Sequence, residues 1–440
     1  MAWAAYLSWR GGRSATLPIF PMVALMYWIY YFPPCFWIRS RVKPGVLYSN
    51  AALESTTLMV VVGLGALWLG TRSRLGRYLT PRITFTLRDT QASHWHYVRA
   101  VLLLGAPLSY FADSAAVAFG AGGRLIVMLL ASLVPAVAFV LVFRRYLRRR
   151  AAPVDKFLMF IFLGSRVLVG MASGWLGAGV SLALICAAAY VLERRRLPLM
   201  AVAIVLPLVL FLQPGKGHFR QAFWSSRVAG GITERMLFWV NTSIDKWAAA
   251  LQSPNSGQWY ALAEEGIGRM SLLRQSATVM ELTPSVIPHQ HGRLYGYLAV
   301  TLIPRALWPG KPSVNEANRF FQVAYGMTEE KNLENVSISV GVLTESYINF
   351  GWIGVVIVMF GLGVLFDVLQ CALFSFESGH LLTALGIALI PRLLTIESQM
   401  AQYVGGLIQT IVLVLLVFSP VLYRCQRSVI RADPGTTNLA

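Results

Sequence analysis

Charge is scarce in this chain. Only 13% of its 440 residues are Asp, Glu, Lys or Arg, and just 19 residues are acidic, against roughly 25% charged in an ordinary soluble domain. Hydrophobic residues make up 56% and mean hydropathy is +0.59. That balance excludes a soluble enzyme of this size and, equally, a disordered chain. Cysteine is scarce too: Cys35, Cys186, Cys371 and Cys425 stand far apart in or beside apolar runs. With no C-x-x-C pair among them, a disulfide framework and a Cys-rich zinc site are both excluded. Familiar catalytic signatures are missing as well. Pro214-Gly215-Lys216-Gly217 lacks the spacing of a P-loop, and Asp-x-Asp, H-E-x-x-H and G-x-S-x-G are all absent. His289 and His291 are two apart in a Pro-flanked loop, a poor zinc geometry. Metal-free chemistry with no cofactor is expected.

Long apolar runs are what the chain does have. A membrane-crossing helix needs about 20 mostly apolar residues. Ten such stretches are legible, at 15–38, 50–71, 98–113, 125–143, 157–173, 175–192, 197–213, 350–374, 380–396 and 403–423. The expected fold is all-α: a polytopic integral membrane protein of about ten helices, give or take two. Its parts are N-terminal transmembrane helices (1–213), a large loop (214–349), and C-terminal transmembrane helices with a tail (350–440). The net charge of +19 gathers in short loops, where basic residues set topology, and carries no nucleic-acid signal. Segments 72–99, 144–156, 194–196 and 424–431 are arginine-rich, and ten spans put all four on one side, the cytoplasmic one. Only 39–49, with Arg39, Arg41 and Lys43, runs against that pattern.

The same count places 214–349 outside the cytoplasm, with 10 of the 19 acidic residues. An amphipathic helix over Thr233–Gln252, bearing Phe238, Trp239 and Trp247, is expected to lie at the membrane interface, and a second helix is expected over 258–282. Cations recur through the loop: Lys216, Arg220, Arg227, Arg293, Arg305 and Lys311. A guanidinium fork matches phosphate oxygens and keeps its charge at any accessible pH, so a cluster beside a bilayer suits a lipid pyrophosphate. Within the apolar spans, Arg166 and Arg392 are costly and mark a functional path by default. For Arg392 an ion pair with Glu397 is the structural alternative. The Gly170–Gly174 and Gly361–Gly363 pairs read as helix packing. Glu345, just before a span, suits either a general base or a partner that holds an Arg in place.

Two stretches, Ile303-Pro304-Arg305-Ala306-Leu307-Trp308-Pro309-Gly310-Lys311-Pro312 and Glu345-Ser346-Tyr347-Ile348-Asn349-Phe350-Gly351-Trp352-Ile353-Gly354, resemble the bacterial O-antigen and exopolysaccharide polymerases, the oligosaccharide repeat-unit polymerase family. Arg220 with Gly231 also has an Arg-to-Gly spacing found in some members, whereas Pro304 and Glu316 depart from a second copy. The resemblance implies a GT-C-like fold in the bacterial inner membrane with its large loop periplasmic. It implies a metal-independent glycosyltransferase acting on undecaprenyl-pyrophosphate-linked glycan, with flippase and chain-length regulator proteins as partners. Arg305 is then catalytic, and Glu345 or His289 is the base. Lys216, Arg220, Arg227, Arg293, Lys311 and Tyr347 bind substrate, while Arg166 and Arg392 line the lipid path. An O-antigen ligase-like transferase and a lipid-linked sugar transporter are the rival expectations.

Overall fold

The computed structural model describes residues 17–39, 48–80, 83–86, 92–118, 120–225, 230–252, 271–303, 308, 310–333, 338–375 and 378–426. Seven apolar helices precede the loop region: α1 (Ile19–Arg39), α2 (Asn50–Arg72), α4 (Ala92–Ala118), α5 (Gly120–Leu147), α6 (Pro153–Ser173), α7 (Leu176–Arg194) and α8 (Leu199–Leu212). A single helical turn, α3 (Leu75–Leu79), and strand β1 (Ile83–Thr86) fall between α2 and α4. The loop region supplies α9 (Lys216–Arg220), a π-helical turn at Gln221–Ser225, and α10 (Ile232–Gln252). It continues through α11 (Leu273–Leu282), α12 (Gly296–Leu302) and α13 (Glu316–Ala324). Then come α14 (Val342–Phe374), α15 (His380–Leu393), α16 (Met400–Val417) and strand β2 (Tyr423–Gln426).

Among the described residues, six helices are long and apolar enough to cross a membrane, and α8 with α9 makes a seventh if that pair, bent by 60°, is one span. The chain is thus a helical, multi-pass membrane protein. Among the described residues the one sheet is the antiparallel ribbon of β1 and β2, with Ile83 opposite Gln426 and Thr86 opposite Tyr423. Helix α14 starts eight residues before the expected span at 350, and α11 keeps only the last part of the helix expected over 258–282, since 253–270 lie outside the described residues.

Polar contacts fix which helix ends lie together. Arg144 Nε meets Glu193 Oε1 at 2.6 Å and Arg148 Nε meets Glu193 Oε2 at 2.7 Å, tying the end of α5 to the end of α7. Arg99 Nε reaches Asp155 Oδ1 at 2.6 Å, tying the start of α4 to the start of α6. Arg144 also donates to the His380 carbonyl, where α15 begins, and β1 packs against α15. The described parts of the arginine-rich segments therefore meet at one end of the bundle. The other end joins α1 to α11, where the Leu272 amide donates to the Tyr30 carbonyl, and the α6–α7 turn to the loop region, where Trp224 Nε1 donates to the Ser173 carbonyl.

Deep burial centres on α15, in which every residue from Leu381 to Ile390 is buried. Beside it α2 and α14 cross with their backbones almost touching: a Cβ at Gly363 would lie 2.2 Å from the Leu67 carbonyl, and one at Gly70 2.2 Å from that of Phe360. Gly363 thus does the packing expected of its pair, while Gly361 faces open space. At the arginine-rich end, Asp155 is wholly buried and also caps α6 by accepting the Ala152 amide. Asp155→Ala is expected to destabilise the protein by about 2–3 kcal/mol, less than the 3–5 of a fully buried pair because Arg99 keeps some water contact. A lowered melting temperature in detergent checks this.

Candidate functional site

A cavity of about 880 Å³ lies among α5, α6, α7 and the α15–α16 hairpin, with Thr301, Leu302, Lys311 and Val314 of the loop region on its wall. Among the described residues, three cations reach that wall, Arg166, Lys311 and Arg392, and no carboxylate does. The other polar groups include Ser181, Thr395, Ser398 and Gln402, and most of the remaining lining is apolar. Arg166 and Arg392 stand thirteen and twelve positions along helices that both start at the arginine-rich end. At 1.5 Å per residue they share one height, roughly 18–20 Å along.

Helix α16 makes room for Arg392. A Cβ at Gly406 would sit 1.7 Å from its Nη2, and one at the neighbouring Gly405 would meet Thr301 of α12 at 2.4 Å. Arg392 Nη2 donates to the Gln402 carbonyl at 3.2 Å, while its Nε is buried with no partner among the described residues. No ion pair with Glu397 forms among those residues. Glu397 instead accepts from the Tyr30 hydroxyl at 3.3 Å. Burial pushes the Glu397 carboxyl above its usual range, against the opposing pull of the Tyr30 hydrogen bond and the nearby Lys216 charge. Arg166 makes no hydrogen bond or ion pair among the described residues. Lys311 has a second duty, since its Nζ donates to the carbonyls of Val300 at 3.2 Å and Ile303 at 2.7 Å and so caps the end of α12. Charges held at membrane depth without counter-ions are costly. Two such arginines converge with Lys311 on a cavity whose described lining holds no carboxylate, and together they mark a place for an anion.

The other expected site residues lie elsewhere. Glu345 is fully buried and accepts the amide of Met400, the first residue of α16, at 2.6 Å. It caps a helix N-terminus, where a carboxylate is favoured by the dipole, and its observed partner is an amide rather than an arginine. Its second oxygen and the Tyr295 hydroxyl are buried without partners among the described residues. Burial first, and the Glu345 charge second, raise the Tyr295 hydroxyl above its ordinary pKa.

His289 is placed by a break in α14. Gly351 adopts φ 61°, ψ −148°, a region essentially confined to glycine. The interruption frees the Ile348 and Asn349 carbonyls, which accept the amides of Gln290 at 3.0 Å and His291 at 2.9 Å. The His289 ring stands edge-on to Tyr347, and the Tyr347 hydroxyl donates to the Thr283 carbonyl at 3.4 Å. Gly351→Ala is expected to lower stability by about 1–3 kcal/mol through this backbone strain alone. Its Cβ would also come within 3.2 Å of His289 Nε2. A thermal-unfolding shift of several degrees, larger than for Gly361→Ala in open space, is the check.

Lys216 opens α9 beside Glu397, Arg220 lies over the Trp224 ring at 4.4 Å, and Arg293 is exposed at the start of a short 3-10 turn. None of these lines the cavity. Arg227 and Arg305 lie outside the described residues. Thr395, Ser398, Gln402 and Gly406 went unpredicted, because uncharged residues in a turn or on an apolar helix give no signal of what they face. The Gly405-Gly406 pair was the one visible cue.

Residues 83–390, about 70% of the chain, match a domain of unknown function, DUF8712. The chain belongs to the DUF8712 family. No curated protein and no solved structure matches it. The DUF8712 region takes in Arg166, Lys311 and Glu345 and stops two residues before Arg392, so one wall of the cavity falls outside the matched span.

Proposed function

We propose that this protein is a glycosyltransferase that polymerises undecaprenyl-pyrophosphate-linked oligosaccharide repeat units into O-antigen or exopolysaccharide, without a metal. One observation carries the reading: Arg166, Lys311 and Arg392 converge on a largely apolar cavity with no carboxylate among its described lining residues, a lining suited to a pyrophosphate that bears a long hydrocarbon chain. Ile408, Val412 and Leu416, on one face of α16, belong both to that cavity and to the exposed surface. They give the polyprenyl chain a sideways path from the bilayer.

In the proposed reaction an acceptor sugar hydroxyl attacks C1 of the donor glycan. The C1–O bond to pyrophosphate breaks and the electron pair leaves on the pyrophosphate oxygen. Arg166, Arg392 and Lys311 stabilise the charge that builds there, as preorganised donors do in a dry site. The hydroxyl proton passes to a base on the loop side of the site; neither His289 nor Glu345 lines the cavity, and of the two His289 is the more accessible. His289 keeps part of its ring outside the packing and its Nδ1 lies 3.4 Å from the Ile348 carbonyl, an arrangement that leaves Nε2 to accept. Ten helices then run alternately between the two ends. The arginine-rich end faces the cytoplasm by the positive-inside rule, so the loop region and the cavity mouth are periplasmic in a bacterial inner membrane.

The test supplies lipid-pyrophosphate-linked repeat units, with chelator, to the purified protein in lipid. A ladder of lengthening glycans that disappears in Arg166→Ala supports the reading. An undiminished ladder in that variant sinks the assignment of the site, and a single transfer to another acceptor without a ladder turns it to a ligase.

A further inference from the structure

Helix α10 has two apolar faces, and the bundle uses only one. Trp239, Ser243 and Ala250 are buried, and the indole nitrogens of Trp239 and Trp247 donate to the carbonyls of Leu212 at 2.9 Å and Phe211 at 3.0 Å, at the end of α8. The tryptophans expected to meet the membrane thus face protein, because a buried indole N–H needs an acceptor and the end of a helix offers free carbonyls. On the far side Leu237, Ile244 and Leu251 are 56%, 48% and 64% exposed. They recur every seven residues and so form one stripe. Exposed Glu234 and Asp245 flank one edge of it. Its other edge leads through Met236 and Trp247 onto α8, whose Ile204, Leu206, Leu208 and Leu210 are exposed in turn.

We infer that α10 lies along the bilayer surface at the end of the bundle opposite the arginine-rich loops, with Leu237, Ile244 and Leu251 sunk into the acyl boundary. Three features select lipid as the occupant. The stripe is continuous with the outward wall of α8, a helix apolar all round and hardly covered by protein, as a lipid-facing element is. Glu234 and Asp245 confine the apolar surface to one edge, the pattern of a helix half immersed with its acids in water. Finally, α10 packs on α6 and α8, both apolar helices left largely open to the outside, so that lipid meeting those two helices meets α10 as well.

The contact also bears on the cavity mouth. Trp239 packs on Phe219 with ring centroids 5.3 Å apart, and Phe219 fills the space beside Gly174 in the α6–α7 turn, where a Cβ would come within 2.2 Å of its ring. The next residue, Trp175, lines the cavity. A helix anchored in the interface therefore holds the mouth at headgroup depth.

Single cysteines placed by Leu237→Cys, Ile244→Cys, Leu251→Cys, Glu234→Cys and Asp245→Cys, in a background with the four native cysteines replaced, would carry a bimane fluorophore. The protein is reconstituted in phosphatidylcholine–phosphatidylglycerol vesicles with or without brominated lipid. Labels at 237, 244 and 251 are expected to be quenched at least about twofold more than those at 234 and 245. Equal weak quenching at all five sites, with free access to an aqueous quencher, overturns the inference. So does protection at 237, 244 and 251 that grows with the protein-to-lipid ratio, the mark of a second copy on the stripe. Should the cysteine-free background fail to fold, photolabelling of the unaltered protein with a lipid-soluble carbene, mapped by mass spectrometry, replaces it. Labelling of Leu237, Ile244 and Leu251 then supports the inference, and its absence overturns it. No substrate enters either measurement, so the outcome is independent of the transferase reading.

Discussion

Arg392→Met is expected to cut polymer synthesis by roughly 10²–10³-fold, the usual loss when one preorganised donor is removed from a developing negative charge. Methionine keeps the length and much of the volume of the side chain, so packing against Gln402 and Gly406 is largely retained. The variant also separates a functional arginine from a structural one. A guanidinium whose charge stabilises the fold leaves a destabilised protein behind when it is removed, as Arg99 would through Asp155. Arg392 has no carboxylate partner among the described residues and an unpartnered Nε, so neutralising it relieves a desolvation cost. The melting temperature in lipid should therefore hold or rise while activity collapses. Arg392→Lys keeps the charge but not the planar fork, and it should recover only part of the rate. A parallel fall in stability and activity in Arg392→Met would show that the residue holds the bundle together.

Gly406→Ala is expected to produce nearly the same functional loss without touching a charge. The added methyl would stand 1.7 Å from Arg392 Nη2, and a clash with the end of a long flexible side chain is relieved by moving that side chain. The helix thus survives, while the guanidinium leaves its place above Gln402. A displacement of about 1 Å at a reacting centre can cost about 100-fold. Gly405→Ala is the contrasting case: its methyl would meet Thr301 Cγ2 at 2.4 Å, on a short stiff side chain of α12, so stability should fall with activity. Protein yield, melting temperature and ladder formation measured side by side for the two alanines decide the matter. Equal loss of stability in both would mean that Gly406 serves packing alone.

Much of this arrangement was legible in the sequence where the signal is one-dimensional. Apolar length revealed the helices, and arginine clustering revealed which ends share a side, because both depend only on the cost of polar groups in hydrocarbon. Arg166 and Arg392 stood out for the same reason, but their common height shows only from the helix starts at Pro153 and His380. Their meeting with Lys311 was not legible, since it depends on how α6, α15 and the loop region pack in three dimensions. Glu345 shows how proximity in sequence misleads. It sits in a conspicuous polar run, yet its partner is an amide 55 positions later, and a backbone amide looks the same in every sequence. The ribbon was missed similarly, as Ile83–Thr86 finds its partner more than 300 residues away.

The shortness of α15 has a chemical consequence. Its 14 residues span about 21 Å, well under the roughly 30 Å of hydrocarbon. In the proposed orientation the turn to α16 stops inside the membrane's thickness; Ile396 and Gln399 are buried there, and the Asn318 amide of α13 donates to the Gln399 side chain. On the proposed reading, a glycosyl carbon brought to Arg392 lies below the aqueous surface, where water is dilute. An activated sugar has two fates, capture by a hydroxyl of another glycan or wasteful hydrolysis, and their ratio follows the local supply of each nucleophile. A recessed floor starves the second path, so that glycan chains lengthen instead of being released as free sugar.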